Sequence, residues 1–196
     1  MNCNEVRYVL PLSEQYRVFV DGNELEVIKG DEYDYVHIIT KDIVSVEVKL
    51  DVEAEKIALR PTRRAKKFEV ENNCVRFLMS RADYYCLEVN GDLSRPLLLF
   101  CDEKIEKQLY DGENLLYFPK GYHKLGEYHA VSDTVIFIDE GAFVEGKIRG
   151  EGVKNLRIVG NGVLLGTNHD ERRSSPVSIA NSEDVEINGI TIIGVN

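Results

Sequence analysis

The chain has 196 residues, of which 43% are hydrophobic and 30% charged. That is enough for one large domain or two small ones with packed cores, and it argues against a disordered chain. A formal net charge of −10 repels phosphate backbones and so argues against nucleic acid as a partner; it also opposes a polyanionic glycan unless a local basic patch overrides it.

Residues 1–20 carry Glu5, Arg7, Glu14 and Arg17. These charges interrupt any apolar stretch of the kind a signal peptide needs, and no membrane span is visible along the chain. The expectation is no membrane partner, and a cytoplasmic location by default or a secreted one if an export signal has been removed. Short strands follow. Tyr16, Val18 and Val20 alternate, Asp21-Gly22-Asn23 supplies a turn, and Leu25 and Val27 alternate again, which is a hairpin pattern. Val36 and Ile38 come next. Val44, Val46, Val48 and Leu50, with Ser45, Glu47 and Lys49 between them, give the cleanest alternation; one face of that strand covers a core and the other meets water. Ile57 and Leu59, Phe68 and Val70, Val75 to Met79, and Tyr85 to Val89 continue the pattern, with turns at Asn72-Asn73 and Asn90-Gly91. Many short strands without a 3.6-residue period predict an antiparallel β-sandwich over residues 1–100.

Arg60, Arg63, Arg64, Lys66 and Lys67 form the one basic patch, which reads as a solvated turn or edge strand. Cys3, Cys74, Cys86 and Cys101 contain no C-x-x-C pair and read as small buried apolar side chains, a Cys74–Cys86 bridge being the alternative. No metal or cofactor is expected. Residues 101–130 read as a connecting segment, preceded by an apolar run, Pro96 to Phe100, and containing the only stretch of helical character, residues 102–110.

From Thr134 the glycines become frequent and a repeat appears. Val135, Phe137, Gly141 and Val144 are followed 21 residues later by Leu156, Ile158, Gly162 and Leu165. A third copy begins at Val185 and Ile187, offset by 29 from the second, and the extra residues fall in the polar stretch 167–176. One such copy cannot bury its own apolar face; stacked copies make parallel sheets over a continuous core, with insertions displaced outward as loops. Residues 131–196 therefore predict the start of a parallel β-helix, in an all-β chain.

The runs DTVIFIDEGAFVEG (133–146), VKNLRIVGNGVLLG (153–166) and SPVSIANSEDVEINGITII (175–193) resemble the opening coils of polygalacturonase-like and dextranase/isopullulanase-like glycoside hydrolases, which have a right-handed parallel β-helix. RPLLLF (95–100) and YFPKG (117–121) are similar to the bridge between a β-sandwich and the helix in the dextranase-like members. The resemblance covers about half the chain. It implies a polysaccharide or oligosaccharide partner and inverting hydrolysis by carboxylates on consecutive coils, one protonating the glycosidic oxygen while another activates water. The family's Asn-Thr-Asp-Gly segment, Asp-Asp pair and Gly-His-Gly segment are not in this sequence. The expectation is that the chain is the front part of such a hydrolase, with the paired aspartates beyond Asn196 and no catalytic residue here. The alternative is a non-catalytic carbohydrate-binding or scaffold module.

His169, Asp170, Arg172 and Arg173, with Glu171, form the densest polar cluster of the repeat region. They are the substrate-contact candidates, since loops on a rigid scaffold carry such contacts. His123 and His129 read as ordinary histidines, and Asp139, Glu140 and Glu145 as solvated turn charges. Of Tyr84 and Tyr85, one is expected in the core and the other free to stack on a sugar ring, because strand neighbours face opposite ways. Ile187, Ile190, Ile192, Ile193 and Val195 leave an apolar stack end, from which self-association is expected.

Overall fold

The structure, a computed structural model, describes residues 10–30, 32–62, 67–110, 114–166 and 175–193. Among them the protein is all-β, with a single 3-10 turn at Lys107–Leu109. Among the described residues no helix is long and apolar enough to cross a membrane. The chain divides between Glu103 and Lys104 into two compact units.

Among the described residues the first unit has ten strands: β1 (Tyr16–Val20), β2 (Asn23–Leu25), β3 (Ile28–Lys29), β4 (Asp34–Ile39), β5 (Val44–Leu50), β6 (Ile57–Arg60), β7 (Glu69–Glu71), β8 (Cys74–Met79), β9 (Asp83–Val89) and β10 (Asp92–Asp102). They make two five-stranded sheets, ordered β2-β1-β5-β8-β7 and β3-β4-β10-β9-β6. The hairpins turn on residues that tolerate positive φ: Asp21 and Gly22 (47° and 83°), Asn72 and Asn73 (49° and 58°), and Asn90 and Gly91 (56° and 73°). In β5 the alternation is complete, with Val44, Val46, Val48 and Leu50 buried. These residues join Val36, Ile38, Leu87, Leu97 and Leu99 of the other sheet in one apolar cluster, where each fully buried Val, Leu or Ile contributes about 1.5–3 kcal/mol.

One detail differs from the sequence reading. Of the named pairings in this unit, β4 with β10 is parallel, Val36 lying opposite Leu99. Parallel neighbours need a long crossover, here the whole run from β5 to β9, and local alternation cannot show it. The apolar run in β10 has one fully buried face, Leu97, Leu99 and Cys101, while Leu98 and Phe100 on the other face are half-buried. Cys74, Cys86 and Cys101 are free thiols; Cys3 lies outside the described residues.

The second unit comprises β11 (Leu115–Phe118), β12 (Gly121–His129), β13 (Thr134–Ile138), β14 (Ala142–Glu151), β15 (Lys154–Gly160), β16 (Val163–Leu165), β17 (Val177–Ala180), β18 (Glu183–Asn188) and β19 (Thr191–Ile193). Its two sheets, β11-β13-β15-β18 and β12-β14-β16-β19 with β17 also on β14, are parallel in every pairing. The chain passes back and forth between the sheets, except that β16 and β17 follow one another in the second, where β16 and β17 both stack on β14. Residues 115–129, read from the sequence as connection, are the first pair of stacked strands. Ile136, Ile138, Val144, Ile148, Leu156, Ile158 and Leu164 have no solvent exposure and form the shared core.

The repeat alignment is corrected in register. Leu156 and Ile158 do pair with Val185 and Ile187. Val135, however, pairs with Arg157, one residue beyond the aligned Leu156, and Val144 pairs with Leu164, one short of Leu165. A one-residue slip exchanges faces. The inward row is thus Ile136, Ile158, Ile187, and Phe137 faces outward. It is buried nonetheless, because Tyr110 packs over it at 6.3 Å between ring centroids.

Between β15 and β16 the chain turns at Gly160, whose φ is +130°. A Cβ there would overlap the Ile138 carbonyl, and one on Gly189 would overlap the Gly160 carbonyl. The Gly162 N–H donates to that same Ile138 oxygen at 2.9 Å. Successive turns lie in backbone contact, which only glycine permits.

Candidate functional site

The first unit holds two polar constellations assembled from residues far apart in sequence. In the first, Asp34 opens β4 with its side chain 1% exposed. A carboxylate so placed must be paired and hydrogen-bonded. Arg95 Nε donates to Asp34 Oδ1 at 2.9 Å, and Ser13 Oγ donates to Oδ2 at 2.5 Å. One Arg95 terminal nitrogen also donates to the Gly30 carbonyl at 2.5 Å, and Tyr16 Oη donates to the Arg95 carbonyl at 2.9 Å. Burial, and then the nearby Asp34 charge, pushes the Tyr16 phenol up to about 12.

Arg95 lies in an irregular stretch of β10, where the pairing with β9 shifts between Asp92 and Leu97. Such bulges re-aim side chains and recur beside functional sites. Here Arg95 lines a cleft of about 170 Å3 together with Gln15, Tyr16, Val52, Val89, Asn90 and Asp92. The cleft walls are held by side-chain to backbone bonds. Asn90 Oδ1 accepts from the Glu55 and Lys56 N–H groups and its amide donates to the Glu53 carbonyl, while Asp92 Oδ1 accepts from the Ser94 N–H.

The second constellation is on the outward face of the β10 sheet. Tyr84 Oη donates to Asp102 Oδ1 at 2.5 Å, and His37 Nε2 lies 2.8 Å from Oδ2. The Tyr84 ring is 48% exposed and packs on Phe100 at 6.1 Å. Its neighbour Tyr85 is buried in the core, as expected from the opposite facing of strand neighbours. The hydrogen bond to Asp102, and then burial, pushes the Tyr84 phenol up to about 12. Burial raises the Asp102 carboxyl, but the hydrogen bonds from His37 and Tyr84 outweigh it and hold it below the usual range.

In the second unit, Tyr117 Oη donates to Asp139 Oδ2 at 2.6 Å, and Lys107 lies over the Tyr117 ring at 5.2 Å. Tyr110 Oη donates to Glu186, and Arg157 engages Asp184 through two bonds of 2.9 and 3.0 Å. The Ile105 N–H donates to Asn161 at 2.7 Å. Residues 105–110 are thereby strapped across the outer face of the β13 sheet, held by the contacts of Ile105, Lys107 and Tyr110.

His169, Asp170, Arg172 and Arg173 lie outside the described residues, as do Glu171, Arg63, Arg64 and Lys66. Of the basic patch, Arg60 pairs with Glu88 at 3.0 Å on the surface. His123 donates to the Pro119 carbonyl at 2.6 Å, and the exposed His129 lies 3.2 Å from Glu127. Asp139 is a turn residue that also accepts from the Glu140 N–H. Among the described residues no group of three His, Cys, Asp or Glu side chains is placed to hold a metal ion. Sequence reading missed the Asp34–Arg95 and Asp102–His37 pairs. The available signal was a single carboxylate at the head of an apolar strand, Asp34 before Tyr35, Val36 and Ile38.

Compared with known proteins, the sequence matches no family model and no curated relative.

The Tyr84–Asp102 bond carries a pH dependence. The fold favours the neutral phenol, so this contribution to stability is whole below pH about 10 and is lost as pH rises through about 12. Asp102 contributes in the opposite sense, its part being present above the ordinary carboxylate range and lost as pH falls through its depressed value. In a spectrophotometric titration of phenolate formation, Tyr16 and Tyr84 are expected to ionise last, and Asp102→Asn to return one tyrosine toward 10. An unchanged titration curve in that variant would refute the assignment.

Proposed function

We infer that this chain is the front of a carbohydrate-active protein of the polygalacturonase-like or dextranase-like kind: a β-sandwich followed by the first coils of a right-handed parallel β-helix. The observation that carries this reading is the second unit's architecture. Its chain passes repeatedly between two parallel sheets around one apolar stack, with glycine at turns. That is the arrangement the coil-like runs of the sequence imply, and parallel connections of this kind are right-handed in nearly all proteins. Fold alone does not assign chemistry; the glycan comes from the resemblance, supported by the exposed Tyr84 ring and the polar cleft at Arg95.

In this reading the complete protein is a glycoside hydrolase that inverts configuration through paired aspartates on later coils, and this chain supplies substrate contacts without catalysis. The loop residues His169, Asp170, Arg172 and Arg173 are the contacts assigned to the second unit. The test is native electrophoresis of this chain through gels containing soluble polysaccharides, neutral and acidic, with reducing ends assayed in parallel. Retarded migration with no release of reducing ends is expected. Retardation by none would contradict the carbohydrate reading, and release by this chain alone would contradict placing the acids beyond it.

The same reading gives this chain a second copy of itself as partner. Val185, Ile187 and Ile192 continue the inward rows of the core but are 37%, 45% and 41% exposed, on β18 and β19, which are edge strands among the described residues. Unpaired parallel edges with apolar stack ends associate unless covered. Sedimentation velocity is expected to show concentration-dependent association, which Ile187→Lys reduces; a monomer at every concentration would contradict it.

A further inference from the structure

The cleft at Arg95 has the chemistry of a sugar site. Its volume of about 170 Å3 corresponds to roughly five or six waters at about 30 Å3 each, and it is smaller than the roughly 300 Å3 at which pockets for drug-sized ligands begin. One six-membered ring with its hydroxyls is the scale of ligand it admits. Val52, 48% exposed, offers an apolar patch for the C–H face of such a ring. Gln15 offers an amide, and Asp92 the oxygen not engaged by Ser94.

Arg95 supplies the fixed donor. Asp34 and the Gly30 carbonyl hold two of its nitrogens, and no hydrogen bond from its other terminal nitrogen is seen among the described residues. A donor oriented in this way spends little entropy on binding.

Charge decides what kind of ring. The Arg95 charge is already answered by buried Asp34, and Asp92 is a second acidic residue lining the same cleft. The cleft therefore carries a net negative charge, on a chain whose net charge is −10. A uronic acid would bring its carboxylate against Asp92, whereas a neutral ring would not.

We propose that this cleft of the first unit binds a single uncharged sugar residue, with Arg95 and Gln15 donating to its hydroxyls, Asp92 accepting from one, and Val52 packing on its apolar face. The proposal rests on the carbohydrate reading for the choice of a sugar over another polyol, and it narrows that reading to neutral glycans.

Two-dimensional NMR of the full chain tests it, with glucose, galactose, mannose, xylose, galacturonate and glycerol titrated separately. At least one neutral sugar is expected to shift the Gln15, Asn90 and Arg95 signals saturably, with galacturonate and glycerol silent at the same concentration. Gln15→Ala and Asp92→Asn both leave the Asp34–Arg95 pair intact. Each is expected to weaken the neutral sugar several-fold, Asp92→Asn about tenfold since it removes a hydrogen bond to a charged group. Galacturonate binding more tightly than every neutral sugar, glycerol matching them, or affinities unchanged in both variants would overturn the proposal. Gel retardation by a polysaccharide with a silent cleft defeats this proposal and leaves the carbohydrate reading standing. A neutral sugar in the cleft without retardation by any polysaccharide does the reverse.

Discussion

Backbone contact between successive turns is the constraint on which the second unit depends. Parallel strands stack at about 4.8 Å, and where the chain passes from the β13 sheet to the β14 sheet the peptide of one turn lies directly on the carbonyl of the turn before. Gly160 sits on Ile138, and Gly189 on Gly160. With those turns closed, Ile136, Ile158 and Ile187 fall into one row and Val144, Leu164 and Ile192 into another. Each interior residue then buries its side chain against neighbours from the other passes of the chain. The burial of Leu156 and Ile158 is therefore a consequence of the turn geometry as much as of their own hydrophobicity.

The first unit meets the same need for register by different means. Its hairpins turn on Asn and Asp at positive φ, and its order in three dimensions comes from polar anchors. Asp34 ties Ser13, Arg95 and through Arg95 the Gly30 carbonyl into one knot. Asp102 joins His37 and Tyr84 across three strands. Removing Arg95 would leave the Asp34 charge buried and unpaired, a loss of typically about 3–5 kcal/mol. The same rigidity fixes Arg95, a residue of the cleft lining, and holds the Tyr84 ring on its sheet. Structure and candidate binding chemistry therefore share residues here, with the scaffold supplying pre-organisation.

Much of the fold was legible in the chain. Period-2 alternation located β1, β5, β8 and β9, and the Asn-Gly and Asn-Asn pairs located their turns. The texture change at Thr134 announced the parallel unit. What failed to show has physical causes. The β11 and β12 strands lack a clean alternation, since β12 carries a bulge between Lys124 and Gly126. The register of Val135 was misread because Phe137, an outward residue covered by Tyr110, looks like core in one dimension. The parallel β4–β10 pair and both polar constellations join residues more than sixty positions apart, and only chain folding brings them together. Of the candidate site, the outward placement of Tyr84 was readable from its neighbour Tyr85; the cleft at Arg95 was not.

The measurement that bears most directly on this account is the thermal stability of two glycine variants in the same unit. At Gly160 a Cβ would meet backbone, whereas at Gly152, also at positive φ, it meets nothing within 4 Å. Gly152→Ala then carries only the left-handed strain of about 1–2 kcal/mol, whereas Gly160→Ala must also push apart two stacked turns, a loss of about 4 kcal/mol or more. Unfolding of the second unit at a much lower temperature in Gly160→Ala than in Gly152→Ala is the predicted result. Equal, small shifts in the two variants would contradict the stacking of turns on which the rest is built.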